Sequence, residues 1–381
     1  MPIHRFSFPT QIHFGPGART LVAEHLKTAT VTRPLIVTDK GVAGLPMTAN
    51  LLGDLKAAGL EPAVFGGVWG NPTASQVNAG AEAYQEHRAD AIVGLGGGAA
   101  LDVAKAVALM AVHAGEILDY AWDNPAGVRI KHPLPWFIAL PTTAGTGSEV
   151  GRSAVISDDV THVKKIVFSP ALLAKAVFAD PELTLALPAN ITAATGMDAL
   201  AHNVESYLSP AYHPLCDGIA IEGARIAAHA LPTAVRDGKD LTARSDMLMA
   251  SMMGAIAFQK DLGAVHSCAH ALGTVLNLHH GLAIAIMFDH VMRFNASAAG
   301  AKLAELARVT MGGSSADDFI AWLAWLKTDI GIPAQLGGVG AKPEHVDRLV
   351  EFAFADGCHQ TNPRPCTRED FRKIFERALG E

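Results

Sequence analysis

Short apolar runs and stretches of helical period alternate along the first 185 or so residues, and beyond Pro188 the short runs stop. Leu35-Ile36-Val37-Thr38-Asp39 has the near-continuous apolar character of a strand buried on both faces. Ala91-Ile92-Val93-Gly94-Leu95 and Trp136-Phe137-Ile138-Ala139-Leu140 read the same way. Between them, residues 51–58, 74–88 and 101–112 space their apolar side chains at helical intervals. Strand, helix and strand repeated in this order predict a mostly parallel sheet with helices on its faces. The later pattern is Ala-, Leu- and Met-rich, as in residues 193–208, 219–231 and 243–258, and carries few strand signals. It predicts an all-α second domain, joined between Asp180-Pro181 and Pro188. The expected division is an α/β domain over residues 1–185 and a helical domain over residues 186–381.

Composition supports two domains and removes some function classes. A chain of 381 residues exceeds one ordinary core. Half of its residues are hydrophobic and 18% are charged, the balance of a globular protein with a large interior. A formal net charge of −7 repels phosphate backbones, so nucleic acid is not an expected partner. No run of about 18 apolar residues occurs, so no membrane span is expected. Residues 1–10 carry His4 and Arg5 without an apolar segment and do not read as a secretory signal. Cys216, Cys268, Cys358 and Cys366 are scattered and form no CxxC pair. That argues against a disulfide framework and for a cytoplasmic location.

Two loops carry candidate chemistry in the first domain. Gly94-Leu95-Gly96-Gly97-Gly98-Ala99 follows a strand and opens a helix. Glycines there let the backbone approach a pyrophosphate, whose charge the helix N-terminus stabilises. The string satisfies G-x-G-x-x-A, and Asp119 lies about twenty residues on, but the same string also suits a tight turn with no ligand. The motif follows one complete strand–helix unit, whereas a classical dinucleotide fold places it in the first. Asp39 ends the earlier strand, where a carboxylate would accept from both ribose hydroxyls of NAD and repel the extra phosphate of NADP. Its simpler role is that of a turn residue before Gly41. A second loop, Pro141-Thr142-Thr143-Ala144-Gly145-Thr146-Gly147-Ser148-Glu149, ends the third strand. Two glycine-rich loops at strand ends mark a nucleotide crevice, so the sheet is expected to be Rossmann-like.

The second domain holds the other candidates. His266 and His270 stand four apart in a helical context and share one face, and His280 follows directly before Gly281. Asp198 and His202 also stand four apart in a helical stretch. Such a pair is often a plain helix-surface hydrogen bond. Two such pairs in an apolar helical domain are harder to dismiss, because buried ionisable groups need partners. Imidazoles with one carboxylate suit a borderline divalent cation such as Fe²⁺ or Zn²⁺. His213, His229 and His290 lack this spacing and read as structural.

At these residues the chain resembles the iron-containing (group III) alcohol dehydrogenases, from about Phe8 to Leu379. The matching stretches are Gly96-Gly97-Gly98 with Asp102 and Lys105, and the loop from Pro141 to Glu149. They continue with Gly196-Met197-Asp198-Ala199-Leu200-Ala201-His202, then Gly263-Ala264-Val265-His266 through His270, His279-His280-Gly281, and Asn362-Pro363-Arg364. The resemblance implies metal ligands at Asp198, His202, His266 and His280, with His270 beside the nicotinamide and substrate. It implies dinucleotide contacts at Asp39, Asn71, Gly97, Gly98, Thr142, Thr143, Thr146 and Lys164, and a homodimer or larger assembly. Where the family's glycine loop commonly continues with serine, this chain has Ala99, which removes one hydroxyl contact and predicts weaker cofactor binding.

The implied activity is NAD-linked interconversion of a small primary alcohol and its aldehyde, with Fe²⁺ or Zn²⁺ polarising the oxygen and His270 relaying a proton. Two rivals remain. A metal- and NAD-dependent synthase of the dehydroquinate synthase type would surround the metal with basic residues, but Ala199, Leu200, Ala269 and Ala271 are apolar. A nucleotide-binding sensor would not require the metal set, and no G-x-S-x-G elbow supports hydrolase chemistry. Arg152 and Lys260 flank the candidate segments. They read as solvated rim residues, or alternatively as cations that pair with the acidic end of an ω-hydroxy acid or semialdehyde.

Overall fold

The structure, a computed structural model, describes residue 8, residues 10–125, residue 127 and residues 129–380. Most of residues 1–10, and so of the N-terminal reading above, lies outside the described residues. The chain forms two compact units. One is α/β and runs to Thr143, with Gly147–Thr184; the other is helical and comprises Leu185 onward, with Ala144–Thr146.

The α/β unit is built on six parallel strands: β1 (Gln11–Phe14), β2 (Pro34–Asp39), β3 (Ala63–Val68), β4 (Ala91–Gly96), β5 (Trp136–Pro141) and β8 (Ala176–Ala179). Their order is β1-β8-β5-β4-β2-β3. Each of the three predicted strands is present and starts or ends within one residue of its expected bounds. Every residue of β4 is buried, as expected for a strand covered on both faces. The helices are α1 (Val22–Thr28), α2 (Lys40–Ala43), α3 (Pro46–Ala57), α4 (Ala74–His87) and α5 (Gly98–Met110). A separate antiparallel hairpin pairs β6 (Ser153–Ser157) with β7 (Lys164–Phe168). The chain moves outward from β2 to β3, then returns to add β4 on the other side of β2. That reversal between β2 and β4 opens a crevice at the C-terminal strand ends, where Asp39 and Gly97 emerge.

The helical unit contains α6 (Ala189–Leu208), α7 (Pro214–Arg236), α8 (Leu241–Ala257), α9 (Ala264–Leu276), α10 (His280–Met311), α11 (Ala316–Asp329), α12 (Val346–Ala355) and α13 (Arg368–Leu379). No strand occurs in it among the described residues. Helix α6 is buried along most of its length, with Met197, Leu200 and Val204 fully inside. Its polar residues Asp198, His202, Asn203 and Glu205 are inside as well. A buried polar row costs stability unless each member is paired, so this helix marks a site. Helix α10 begins against it. A Cβ on Gly281 would lie 2.4 Å from the Ala194 carbonyl oxygen, so only glycine lets His280 approach α6. No described helix is long and apolar enough to cross a membrane.

Candidate active site

Three helices bring Asp198, His202, His266 and His280 together. The four-residue spacing of Asp198 and His202 puts both on one face of α6. Helix α9 supplies His266 from its first turn, and α10 supplies His280 as its first residue. The Nε2 atoms of His202, His266 and His280 each stand 3.6 Å from the same oxygen, Oδ1 of Asp198. At that distance none of the three is a hydrogen bond, and Oδ1 has no hydrogen-bond partner. His266 Nε2 has none either. Two ligands of one ion in a tetrahedral shell, with bonds near 2.1 Å, stand about 3.4 Å apart. Asp198, His202 and His266 offer ligand atoms that all lie within 4.8 Å of one another, which suits a divalent cation, and His280 Nε2 adds a fourth candidate on the Asp198 side.

The electrostatics of the cage favour positive charge. Burial would raise the Asp198 carboxyl, but His202, His280 and His266 hold it below the usual carboxylate range. Burial pushes the His202 imidazole down. Burial also opposes protonation of His266, yet the carboxylates of Asp198 and Glu205 carry it up to about 9. His202 faces the Gly145 carbonyl oxygen through Nδ1 at 3.3 Å, a contact in which the ring N–H donates and Nε2 is left toward Asp198. Its ring stacks on His266 with centroids 4.7 Å apart.

His270 lies one turn beyond His266 and is more exposed. Its ring stacks on His280 at 5.3 Å, and its Nδ1 donates to Asp356 Oδ2 at 2.8 Å. The other Asp356 oxygen accepts from Ser267 Oγ at 2.7 Å and from the Cys358 backbone N–H at 2.9 Å. These three donors outweigh burial and hold the Asp356 carboxyl well below its ordinary range. His270 is thereby left with Nε2 as its unclaimed ring nitrogen.

Of the dinucleotide candidates, Asp39, Gly97, Gly98, Thr142 and Thr143 stand at the C-terminal ends of β2, β4 and β5, whereas Lys164 lies on β7. Gly96 has φ +152°, and a Cβ there would come within 2.6 Å of the Ala100 Cβ, so the turn into α5 requires glycine. The Thr142 N–H donates to the Gly96 carbonyl at 3.0 Å, which ties the two loops together. A cavity at this edge is lined by Asp39, Lys40, Trp69, Gly97, Ala99 and Ala100, among others. Asp39 serves in part as the turn residue: its Oδ1 accepts from Val42 N–H at 2.9 Å and caps α2. Asn71 leads into Pro72, whose carbonyl accepts from Ser157 N–H at 2.7 Å, and Ser157 pairs with Lys164 in the hairpin. Thr143 stands with these residues, whereas Thr146 belongs to the helical unit.

Several residues fall elsewhere than the sequence suggested. Lys260 is fully buried; its ammonium donates to Asp217 and, at 3.5 Å, to the Tyr207 carbonyl. It is neither a rim residue nor available to a substrate carboxylate. Arg152 lies over the Phe168 ring, 5.6 Å from its centroid. Asp119 closes a capping box on its own short 3-10 turn. His213, by contrast, has the structural role expected of it, capping α7 by accepting from the Cys216 N–H. Two residues went unread, and Lys105 was quoted without a role. Glu205 and Asp356 each hold a histidine of α9, and Lys105 is completely buried, donating to Ser148 Oγ and the Ser153 carbonyl, each at 2.8 Å.

Models of the iron-containing alcohol dehydrogenases match residues 9–181, and the C-terminal model of the same family matches residues 192–379. The 4-hydroxybutyrate dehydrogenase of Cupriavidus necator is 40% identical over 97% of this chain and 98% of its own length. A solved 1,3-propanediol oxidoreductase superposes with a TM-score of 0.93 at 36% identity, over 98% of this chain and all of that one. Sulfoacetaldehyde reductase from Bifidobacterium kashiwanohense, solved in complex with NAD⁺, gives 0.91 at 27% identity, over all of this chain and 99% of that one. These matches make the chain an oxidoreductase acting on CH–OH groups. The chain belongs to the iron-containing alcohol dehydrogenase family.

Proposed function

We propose that the chain interconverts a small primary alcohol and its aldehyde, using NAD and a divalent metal, Fe²⁺ or Zn²⁺, held by Asp198, His202, His266 and His280. The observation that carries this is the convergence of three imidazole Nε2 atoms on one unpartnered, buried oxygen of Asp198. When bound, the metal would supply Lewis-acid polarisation of the substrate oxygen, and NAD would supply the hydride acceptor. The protein's own residues do the rest. His270 takes up the alcohol proton at Nε2 and returns it in reduction. Asp356 keeps the other ring proton on Nδ1 and so holds the imidazole in the accepting tautomer. Gly97 and Gly98 present backbone N–H groups to the pyrophosphate at the start of α5, and Asp39 receives the ribose. Asn71, Thr142, Thr143, Thr146 and Lys164 complete the cofactor contacts. Residues 1–185 act as the NAD-binding domain and residues 186–381 as the metal and catalytic domain.

The test is NADH formation on mixing anaerobically Fe²⁺-loaded protein with NAD and short alcohols, beside an Asp198→Asn variant. Turnover that survives in Asp198→Asn after chelation would refute the metal reading. A second substrate reading, a short ω-hydroxy acid or its semialdehyde, is favoured by the 40% identity to the Cupriavidus enzyme. Comparing 4-hydroxybutyrate with butan-1-ol and propane-1,3-diol decides between the two. A cytoplasmic location agrees with four free cysteines. The family resemblance suggests a homodimer or larger assembly, which light scattering would measure.

A further inference from the structure

Glu205 is only 2% exposed and lies on α6, three residues beyond His202. Its two oxygens do different things. Oε2 accepts from His266 Nδ1 at 2.5 Å, and Oε1 accepts from the Val265 backbone N–H at 2.8 Å. The carboxylate therefore caps the first turn of α9 while gripping the ring of the histidine that the same turn carries. The fit is close. A Cβ on Gly263 would lie 2.6 Å from Glu205 Oε1, so the helix must be preceded by glycine for the carboxylate to reach it. Asn362 takes the neighbouring N–H of Ala264 at 3.2 Å, which leaves Glu205 one backbone donor and one imidazole.

We propose that Glu205 is a positioning residue for the metal cage: it holds His266 with a proton on Nδ1, so that Nε2 presents its lone pair to the ion. The proposal rests on the cage reading above. An imidazole ligates through a nitrogen that carries no proton, and the hydrogen bond at the opposite nitrogen selects the tautomer. Glu205→Gln exposes this role without removing bulk. With its oxygen kept on Val265 N–H, the amide nitrogen faces His266 Nδ1 and drives the proton to Nε2, the ligating position. With the amide flipped, Nδ1–H is accepted but the NH₂ group meets the Val265 donor. One contact is lost in either orientation. A residue that merely capped α9 would behave differently, because glutamine can still accept from Val265 and metal affinity would be untouched.

The experiment strips Zn²⁺ from the Zn²⁺-loaded protein with a chromophoric chelator of known affinity, using wild type, Glu205→Gln and Asp198→Asn, with far-UV circular dichroism as the check on folding. Folded Glu205→Gln is expected to hold Zn²⁺ about 10- to 100-fold more weakly than wild type. Wild-type affinity in Glu205→Gln, with Zn²⁺ lost from Asp198→Asn, overturns the role of Glu205 and leaves the cage intact. Wild-type affinity in Asp198→Asn overturns the cage and the proposal together. If Glu205→Gln does not fold, the ¹⁵N-histidine spectrum of Zn²⁺-loaded wild type gives the answer. A solvent-protected Nδ1 proton on His266 supports the proposal, and an unprotonated or freely exchanging Nδ1 overturns it.

Discussion

The two candidate sites, one in each unit, are made of different material. In the helical unit the candidate ligands are side chains, carried by α6, α9 and α10 and packed until three of them are almost wholly inside. In the α/β unit the candidate cofactor surface is largely backbone at the ends of β2, β4 and β5, where the missing side chain of a glycine is what matters. Their buried carboxylates differ in the same way. Asp198 is surrounded by imidazoles and stays below the ordinary carboxylate range. Glu149, equally buried, has Lys105 as its charged neighbour, and burial carries it up to about 7. The cage concentrates charge that an ion would satisfy, whereas the loop provides shape and N–H groups.

Substitutions can break this contrast, the strongest first. His266→Ala removes a ligand and should lower metal affinity and turnover together by more than about 100-fold, since even outer contacts to a ligand are worth 10- to 100-fold. Metal content after dialysis against chelator, measured beside kcat, checks it; full activity in the stripped variant would end the cage assignment. Glu149 gives a pH test of the opposite environment. Its folded-state pKa lies above the ordinary value of 4.5, so its contribution to stability is complete below that value and is lost as pH rises through about 7. The loss is up to about 3 kcal/mol. Melting temperatures of wild type should fall between pH 4.5 and 8 more steeply than those of Glu149→Gln, and parallel profiles would contradict it.

Gly96→Ala sharpens the contrast at the loop. The residue must leave φ +152° or press on Ala100, at about 1–3 kcal/mol. NAD should bind roughly 5- to 150-fold more weakly while Zn²⁺ affinity stays at the wild-type value. A parallel loss of Zn²⁺ would mean that the two sites are not separable. The smallest effect is expected at Asp39. Because Asp39 caps α2, Asp39→Asn keeps the cap and removes only the charge. Discrimination against NADP should relax by about tenfold, near 1.4 kcal/mol. Equal catalytic efficiency of the wild type with both cofactors would remove the premise.

Much of this was legible along the chain because it is local. The buried strands β2, β4 and β5 announce themselves as continuous apolar runs, and the Asp198–His202 and His266–His270 spacings are properties of a single helix turn. Strand β3 escaped notice because Gly66 and Gly67 interrupt its apolar run. Strand β1 escaped because, as a short edge strand with no fully buried residue, it has no strong pattern. Glu205 gave one faint signal, a carboxylate on the apolar helix that carries Asp198 and His202. Its partner stands 61 residues away, and nothing local connects them.

The sequence by itself determined the buried strands β2, β4 and β5, the helical stretches around them, the change in character near residue 185, the glycine loops and the paired spacings of the candidate ligands. Those follow from side-chain periodicity and backbone freedom, which act over a few residues. The tertiary structure alone decided which groups meet. It placed three imidazoles at equal distance from one Asp198 oxygen, gave each histidine of α9 its own carboxylate, and buried Lys260 against Asp217. Lys260 shows why. Its charge and its position before α9 read as a surface residue, but the packing of the helical unit withdrew it from water, and a buried ammonium takes whatever acceptor lies within reach. Partner choice is set by desolvation across elements far apart in the chain, and no local pattern records it.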